Sequence, residues 1–253
     1  MQQQEVGHLA VHNNHQPHTL ITERAATVPQ FASIESKKNE LIRKSLRGAV
    51  FLSSRDADPI EKITDPTGAL KPLPVAVGPA TWKWADLGLL SGDGAQFGGD
   101  RNESNVTSWG QTTPTRTDIV SDTTTLTVLA QETSLLTIGL YTGADLHGVI
   151  PDAGGEVGIS KPSRPASRSY RALAMAVDQT EDGEIYVARF LPNAKTSGKA
   201  DQKFGEGDDP IGWGVTLTGQ VDDDLGYSER WMFGGPGWLA LLSKMGFAAA
   251  AAA

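Results

Sequence analysis

Few side chains in this 253-residue sequence stand in a pattern that does chemistry. Four of the five histidines, His8, His12, His15 and His18, fall in one polar stretch at spacings of four and three. On a helix that spacing would gather imidazoles on one face, where a soft divalent cation binds. Only Glu5 is near enough to steady them, and no apolar pattern fixes a helix there, so a metal site is not expected. His147 has Asp145 and Asp152 as neighbours, but no serine stands in a G-x-S-x-G context, so a catalytic triad is not expected either. The run Gly92-Asp93-Gly94, followed by Gly98-Gly99, lacks the Gly-Lys-Ser/Thr ending of a phosphate loop, and its aspartate repels phosphate. Asp222-Asp223-Asp224 with Gly226 has the carboxylates of a calcium loop without a spaced ligand ladder ending in a bidentate Glu. It reads as a solvated acidic turn. The absence of cysteine removes disulfides, thiol catalysis and Cys-ligated metal centres. No catalytic residue emerges, and neither an enzyme nor a cofactor is expected.

Composition narrows the partners. Lys and Arg number 22 against 30 Asp and Glu, a formal net charge of −8, whereas proteins that grip nucleic-acid phosphates show the opposite balance. No run approaches the roughly 20 apolar residues of a membrane span, so no membrane partner is expected. The polar start has neither the cationic opening nor the apolar stretch of a secretory signal, and use without export is expected. The sequons at Asn102 and Asn105 are accordingly read as coincidence.

The elements that must position any site read as mainly β. Residues 1–30 form a polar arm that cannot bury its share of a core. Residues 31–247 read as one β-rich domain, and the alanines of 248–253 as a partly helical tail or an addition. A helix is expected over 33–47, with Ser33 as N-cap and Gly48 as its stop. Its polar face carries Lys37, Lys38, Arg43, Lys44 and Arg47, the only basic cluster, either a solvated face or an electrostatic docking surface. After a strand near 49–53, prolines interrupt regular structure up to Trp82-Lys83-Trp84. Residues 91–104 read as an over-long Gly-rich loop with a task of its own.

From Val106 onward the period shifts to two, predicting half-buried antiparallel strands over 123–130, 169–178, 184–191 and 213–221. In the last of these, Trp213, Val215, Leu217 and Val221 face one way and Thr216, Thr218 and Gln220 the other. A short helix is expected over 132–141, with Gly143 after its end. The expected fold is a β-sandwich or barrel with one or two helices, an extended N-terminal arm and a long protruding loop.

Trp84-Ala85-Asp86-Leu87-Gly88 and Asn105-Val106-Thr107-Ser108-Trp109-Gly110 resemble segments of the major tail tube proteins of long-tailed bacteriophages, siphovirus-type and particularly those infecting actinobacteria. The likeness continues through Pro114-Thr115-Arg116-Thr117-Asp118, Leu126-Thr127-Val128, Gln131-Glu132, Val215-Thr216-Leu217-Thr218 and the closing Gly234-Gly235-Pro236-Gly237-Trp238. It covers roughly residues 80–240, and the histidine-bearing arm has no counterpart in it. The resemblance implies a structural subunit that forms homohexameric rings, whose strands join into an inner barrel and whose stacked rings conduct the genome during ejection. It implies as partners further copies of the chain, a tape measure protein in the lumen before ejection, tail terminator and distal tail proteins, and double-stranded DNA in transit without specific binding. A protruding loop and extended termini tie neighbours together in that family. Another self-assembling β-rich protein, such as a head-decoration protein, is the alternative.

Within that frame the lumen-facing candidates are Thr125, Thr127, Thr216, Thr218 and Gln220, with Asp122, Asp222, Asp223 and Asp224 at the strand ends. Gly92, Asp93, Gly94, Phe97, Gly98, Gly99 and Asp100 are the inter-subunit candidates, and the basic helix is expected on the outside.

Overall fold

The computed structural model describes residues 30–73, 84–146, 148–161, 163, 167–207 and 210–248. The chain divides into two units, Met1–Glu40 and Leu41–Ala253. In the first, α1 spans only Phe31–Ile34. The helix expected over 33–47 does not form. Ser33 lies inside the single turn rather than capping it, and Arg47 already begins a strand. The physical reason is the lack of an apolar surface to lean on: Ile34, Ile42 and Leu46 are all exposed. A helix of about 15 residues is marginal in water without such packing.

The second unit is built on β1 (Arg47–Ser54), β2 (Ala85–Asp86), β3 (Leu90–Val106), β4 (Arg116–Ala130), β5 (Ser169–Thr180), β6 (Gly183–Lys199), β7 (Trp213–Gln220) and β8 (Arg230–Gly234). They form one antiparallel sheet in the order β2-β1-β5-β6-β7-β4-β3, with β8 paired to β6 beside that path. The mainly-β expectation holds. Helices α2 (Leu135–Thr142) and α3 (Pro236–Met245) complete the unit. The sheet curls, because β1 and β3 approach each other although they lie towards opposite ends of the strand order.

Much of β5 and the first part of β6 are buried on both faces, while β4 and β7 bury one. On one side Val50, Leu126, Val128, Ala172, Ala174, Val215 and Leu217 pack with Leu136 and Leu140 of α2. On the other, Leu173, Met175, Ala188 and Phe190 pack with Ile60, Ile63, Trp84 and Met232. The alternation of small and large residues along β5 suits this arrangement, alanines facing one core and Leu173 and Met175 the other. Helix α2 forms where expected, with Ser134 and Thr137 closing a reciprocal capping box. Gly143 ends it in the left-handed conformation (φ 74°) that an L side chain resists.

The Gly-rich segment 91–104 is a strand, not a loop. It pairs with β4 from Ala95↔Val128 out to Val106↔Arg116, and Gly92, Asp93 and Gly94 occupy an irregularity between Leu90 and Ala95. The cross-strand ladder supplies what the composition conceals. Gly98 faces Thr125, and a Cβ there would sit 2.8 Å from Thr125 Oγ1, so glycine permits the close approach.

Candidate functional site

The threonines come together on one open face of the sheet. In register, Thr125 opposes Thr218 and Thr127 opposes Thr216, and the Thr127 and Thr216 hydroxyls lie 3.0 Å apart. Thr218 donates to Ser197 Oγ at 2.7 Å, and Gln96 stands opposite Thr127. Thr127 and Gln220 are exposed, and Thr125, Thr216 and Thr218 half-buried. The residues that alternate with them, Leu126, Val128, Val215 and Leu217, are buried beneath. Strand periodicity thus makes one face apolar and the other a band of hydroxyls and amides. Gln96 and Ser197 escaped the sequence reading because Gln96 lies in the Gly-rich segment expected to be a loop, and Ser197 lies beyond the strand expected over 184–191, which runs on to Lys199.

This face is not free of positive charge. Lys195 pairs opposite Thr218, so one ammonium joins the hydroxyls. Val221, expected to face the core, is instead exposed, because β7 ends at Gln220 and the chain turns away.

The acidic turn also differs from expectation. Asp222 is fully buried rather than facing open space. Its Oδ1 accepts from the backbone N–H of Asp224 and Leu225, and its Oδ2 lies 3.5 Å from Arg55 and 3.9 Å from Arg171. A local turn needs those main-chain bonds, and the arginines balance the charge left in the interior. Asp223 and Asp224 are exposed. Asp122 pairs with Arg101 at 2.6 Å, and this bond, then the charge of Asp122, raises the Arg101 pKa.

Of the inter-subunit candidates, Phe97 belongs to its own chain's interior. It is half-buried against the core and lies 3.8 Å from the Arg189 guanidinium, whose other neighbour, Trp231, is at 4.0 Å. Arg189 also pairs with Glu229, which accepts from the Thr124 hydroxyl. A cation between two rings and against a carboxylate ties β3, β4, β6 and β8 together. Gly98, Gly99 and Asp100 are exposed at the start of a bare ribbon, and Gly92 and Asp93 are exposed at the irregularity. Beyond them, every described residue from Gly98 to Val120 is exposed, including Trp109 at the tip.

The basic cluster has no helix to organise it. Lys37 pairs with Glu35 at 2.6 Å in the first unit. In the second, Arg43 pairs with Asp178 at 3.2 Å and Arg47 with Glu184 at 2.7 Å, while the Lys44 backbone N–H donates to Asp178. Lys38 is exposed. These pairs form because the segment enters the sheet edge beside β5 rather than coiling.

Asp145 pairs with Arg168, and Asp152 accepts from the N–H groups of Gly154 and Glu156 in its own turn. The histidines of the arm, His147, Trp82, Lys83 and the last five alanines lie outside the described residues. Among the described residues no cluster of His, Asp or Glu is arranged to hold a metal. No helix among them is long and apolar enough to cross a membrane.

A family model described as phage tail tube protein matches residues 63–232, well over half of the sequence. The chain belongs to the phage tail tube protein family. It is therefore a structural subunit of the tail tube and a virion component, not an enzyme, and self-assembly with other tail proteins comes with that membership. The matched span of this tail tube protein runs from β2 through β7 and into β8, and so contains the threonine face and the whole bare hairpin. No curated protein is similar enough to be matched to it.

Proposed function

We propose that this tail tube protein assembles into hexameric rings that stack into the conduit for genome ejection, with the threonine face turned to the lumen. The observation that carries this reading is the two-sidedness of β3, β4, β7 and the end of β6: a sealed core beneath, and an open band of Thr125, Thr127, Thr216, Thr218 and Gln220 above. Double-stranded DNA carries one charge per about 1.7 Å of axis, so a strongly basic wall would hold it by counterion release. Neutral hydroxyls offer phosphates no fixed charge, and the net charge of −8 adds repulsion that salt confines to about 8–10 Å. Among the described residues Lys195 is the cation that pairs directly with the threonine ladder.

The tube would hold a tape measure protein before ejection and end on terminator and distal tail proteins, in a siphovirus-type long tail. Negative-stain microscopy of the concentrated purified chain tests the proposal. Rings or tubes with an axial channel are expected, and a strictly monomeric protein at high concentration would contradict it.

A further inference from the structure

The hairpin of β3 and β4 beyond Gly98 is a two-stranded ribbon without a core, and Val106, Trp109, Ile119 and Val120 are all exposed on it. Such a ribbon is marginally stable by itself in water. A second apolar surface begins near the ribbon's base, where Trp231 and Phe97 flank Arg189. Trp231, Phe233, Trp238 and Phe247 form a row of neighbouring rings, the first three stacked and the last tilted, with successive ring centroids 6.1, 4.8 and 6.1 Å apart. Trp231, Phe233 and Phe247 are exposed, and β8 pairs only with β6 among the described strands.

We infer that the tip of one copy's hairpin, led by Trp109 and Val106, docks on the aromatic row of a second copy. The inference rests on the tube reading above. Reach excludes the same copy. Phe97, at the ribbon's base, and Trp231 flank one guanidinium. The eight residue-to-residue steps from Gly98 to Val106, at about 3.4 Å each, carry the tip roughly 27 Å away from that point. Charge matches as well. Residues 100–122 hold four carboxylates against two arginines, whereas residues 230–247 hold only Arg230 and Lys244. Because the two surfaces differ, the contact is head-to-tail. Such contacts propagate into closed rings or open stacks, whereas a two-fold contact ends at a dimer. Aromatic rings of this size are the usual anchors of such interfaces.

A complementation experiment tests this. Trp109→Ala removes the inserting side chain, and Phe233→Ser with Phe247→Ser removes the receiving row. Each variant alone is expected to stay folded by circular dichroism and to lose polymerisation. Mixed, they retain one intact contact and should give a one-to-one dimer by light scattering. Polymer from either variant alone at wild-type concentration, or a mixture of folded variants that stays monomeric, overturns the docking. A second measurement keeps all the aromatic residues. With no native cysteine, Gln111→Cys and Ser243→Cys should form an intermolecular disulfide in assembled protein, while Gln111→Cys with Ile150→Cys should not. Tubes of the Gln111→Cys/Ser243→Cys protein that lack this cross-link overturn only this inference. Absence of tubes from the unmodified chain overturns the tube reading itself.

Discussion

Asp222 carries a carboxylate with no exposure to water, set between Arg55 and Arg171 and closing the turn after β7 through two main-chain bonds. Asn193, itself buried, donates to the carbonyl of Val221 next door. Removing one partner of a buried pair leaves a charge uncompensated, at a cost of about 3–5 kcal/mol. Asp222→Ala is therefore expected to lower the unfolding free energy by an amount of that order, read as a large fall in the denaturant midpoint. Asp223→Ala, one position on and exposed, should leave the midpoint almost unchanged. Equal effects from the two would refute the placement. Tyr186 offers a test by pH. Its hydroxyl donates to Glu184 at 2.5 Å, and this bond, then burial, pushes the phenol up to about 12. A raised pKa stabilises the protonated form, so the contribution is complete below the ordinary value near 10 and disappears as pH climbs from there to about 12. Tyr186→Phe should flatten the alkaline part of the stability curve over that window, and a curve parallel to wild type would count against the bond. Neither role was legible in the sequence. Asp222 looked like one of three equivalent acids, because burial is a tertiary fact that spacing along a strand end does not encode.

The hairpin of β3 and β4 shows why some elements were legible and others were not. Residues 123–130 and 213–221 alternate apolar with polar over a buried core, so their period of two is visible, and β4 and β7 lie where that pattern falls. The leucines of α2 and the glycine after it announce that helix, although it starts at Leu135 behind its Ser134 cap rather than at 132. The partner strand β3 has almost no apolar side to bury and is rich in glycine, so its ladder with β4 leaves no periodic trace. The segment before β1 erred in the other direction, since helical spacing was present but no surface lay beneath it. Because residues beyond Gly98 touch no core, excising 101–121 and closing with a short turn should leave a soluble protein with native-like β signal and little loss of stability. Under the docking proposed above, assembly should fail, because the excised ribbon carries the tip that would meet the second copy. A truncated protein that still polymerises at wild-type concentration would show that the hairpin is dispensable. Gly98→Val separates geometry from reach. Its side chain would strike Thr125, so it should cost stability in the monomer before assembly is even measured.

At the scale of the whole molecule, the proposed conduit turns on how weakly its wall holds DNA. In that conduit each copy would contribute the same short band of hydroxyls, and stacking would repeat the band along the path of the duplex. A small attraction per copy would therefore multiply over the tube. Thr216 and Thr218 are suited to test this, because both are half-buried on the open face while their neighbours Val215 and Leu217 are sealed in the core. Replacing them with lysine changes the face without touching the packing beneath, and the new ammonium groups would lie beside Lys195. Phosphate neutralisation by these groups releases counterions, so the added attraction weakens steeply as salt rises. Tubes of Thr216→Lys/Thr218→Lys protein are thus expected to assemble, to eject DNA more slowly than wild type at low salt, and to approach the wild-type rate as salt is added. Lys195→Gln should move the rate the other way, with a smaller salt dependence. Substitution of Asp223 by lysine, in the exposed turn beyond the band, supplies a control for charge as such. If that control slows ejection as much as the paired threonine substitutions, net charge rather than the threonine face governs passage. If the paired lysines leave the rate untouched in intact tubes, the face turned to the DNA is another one.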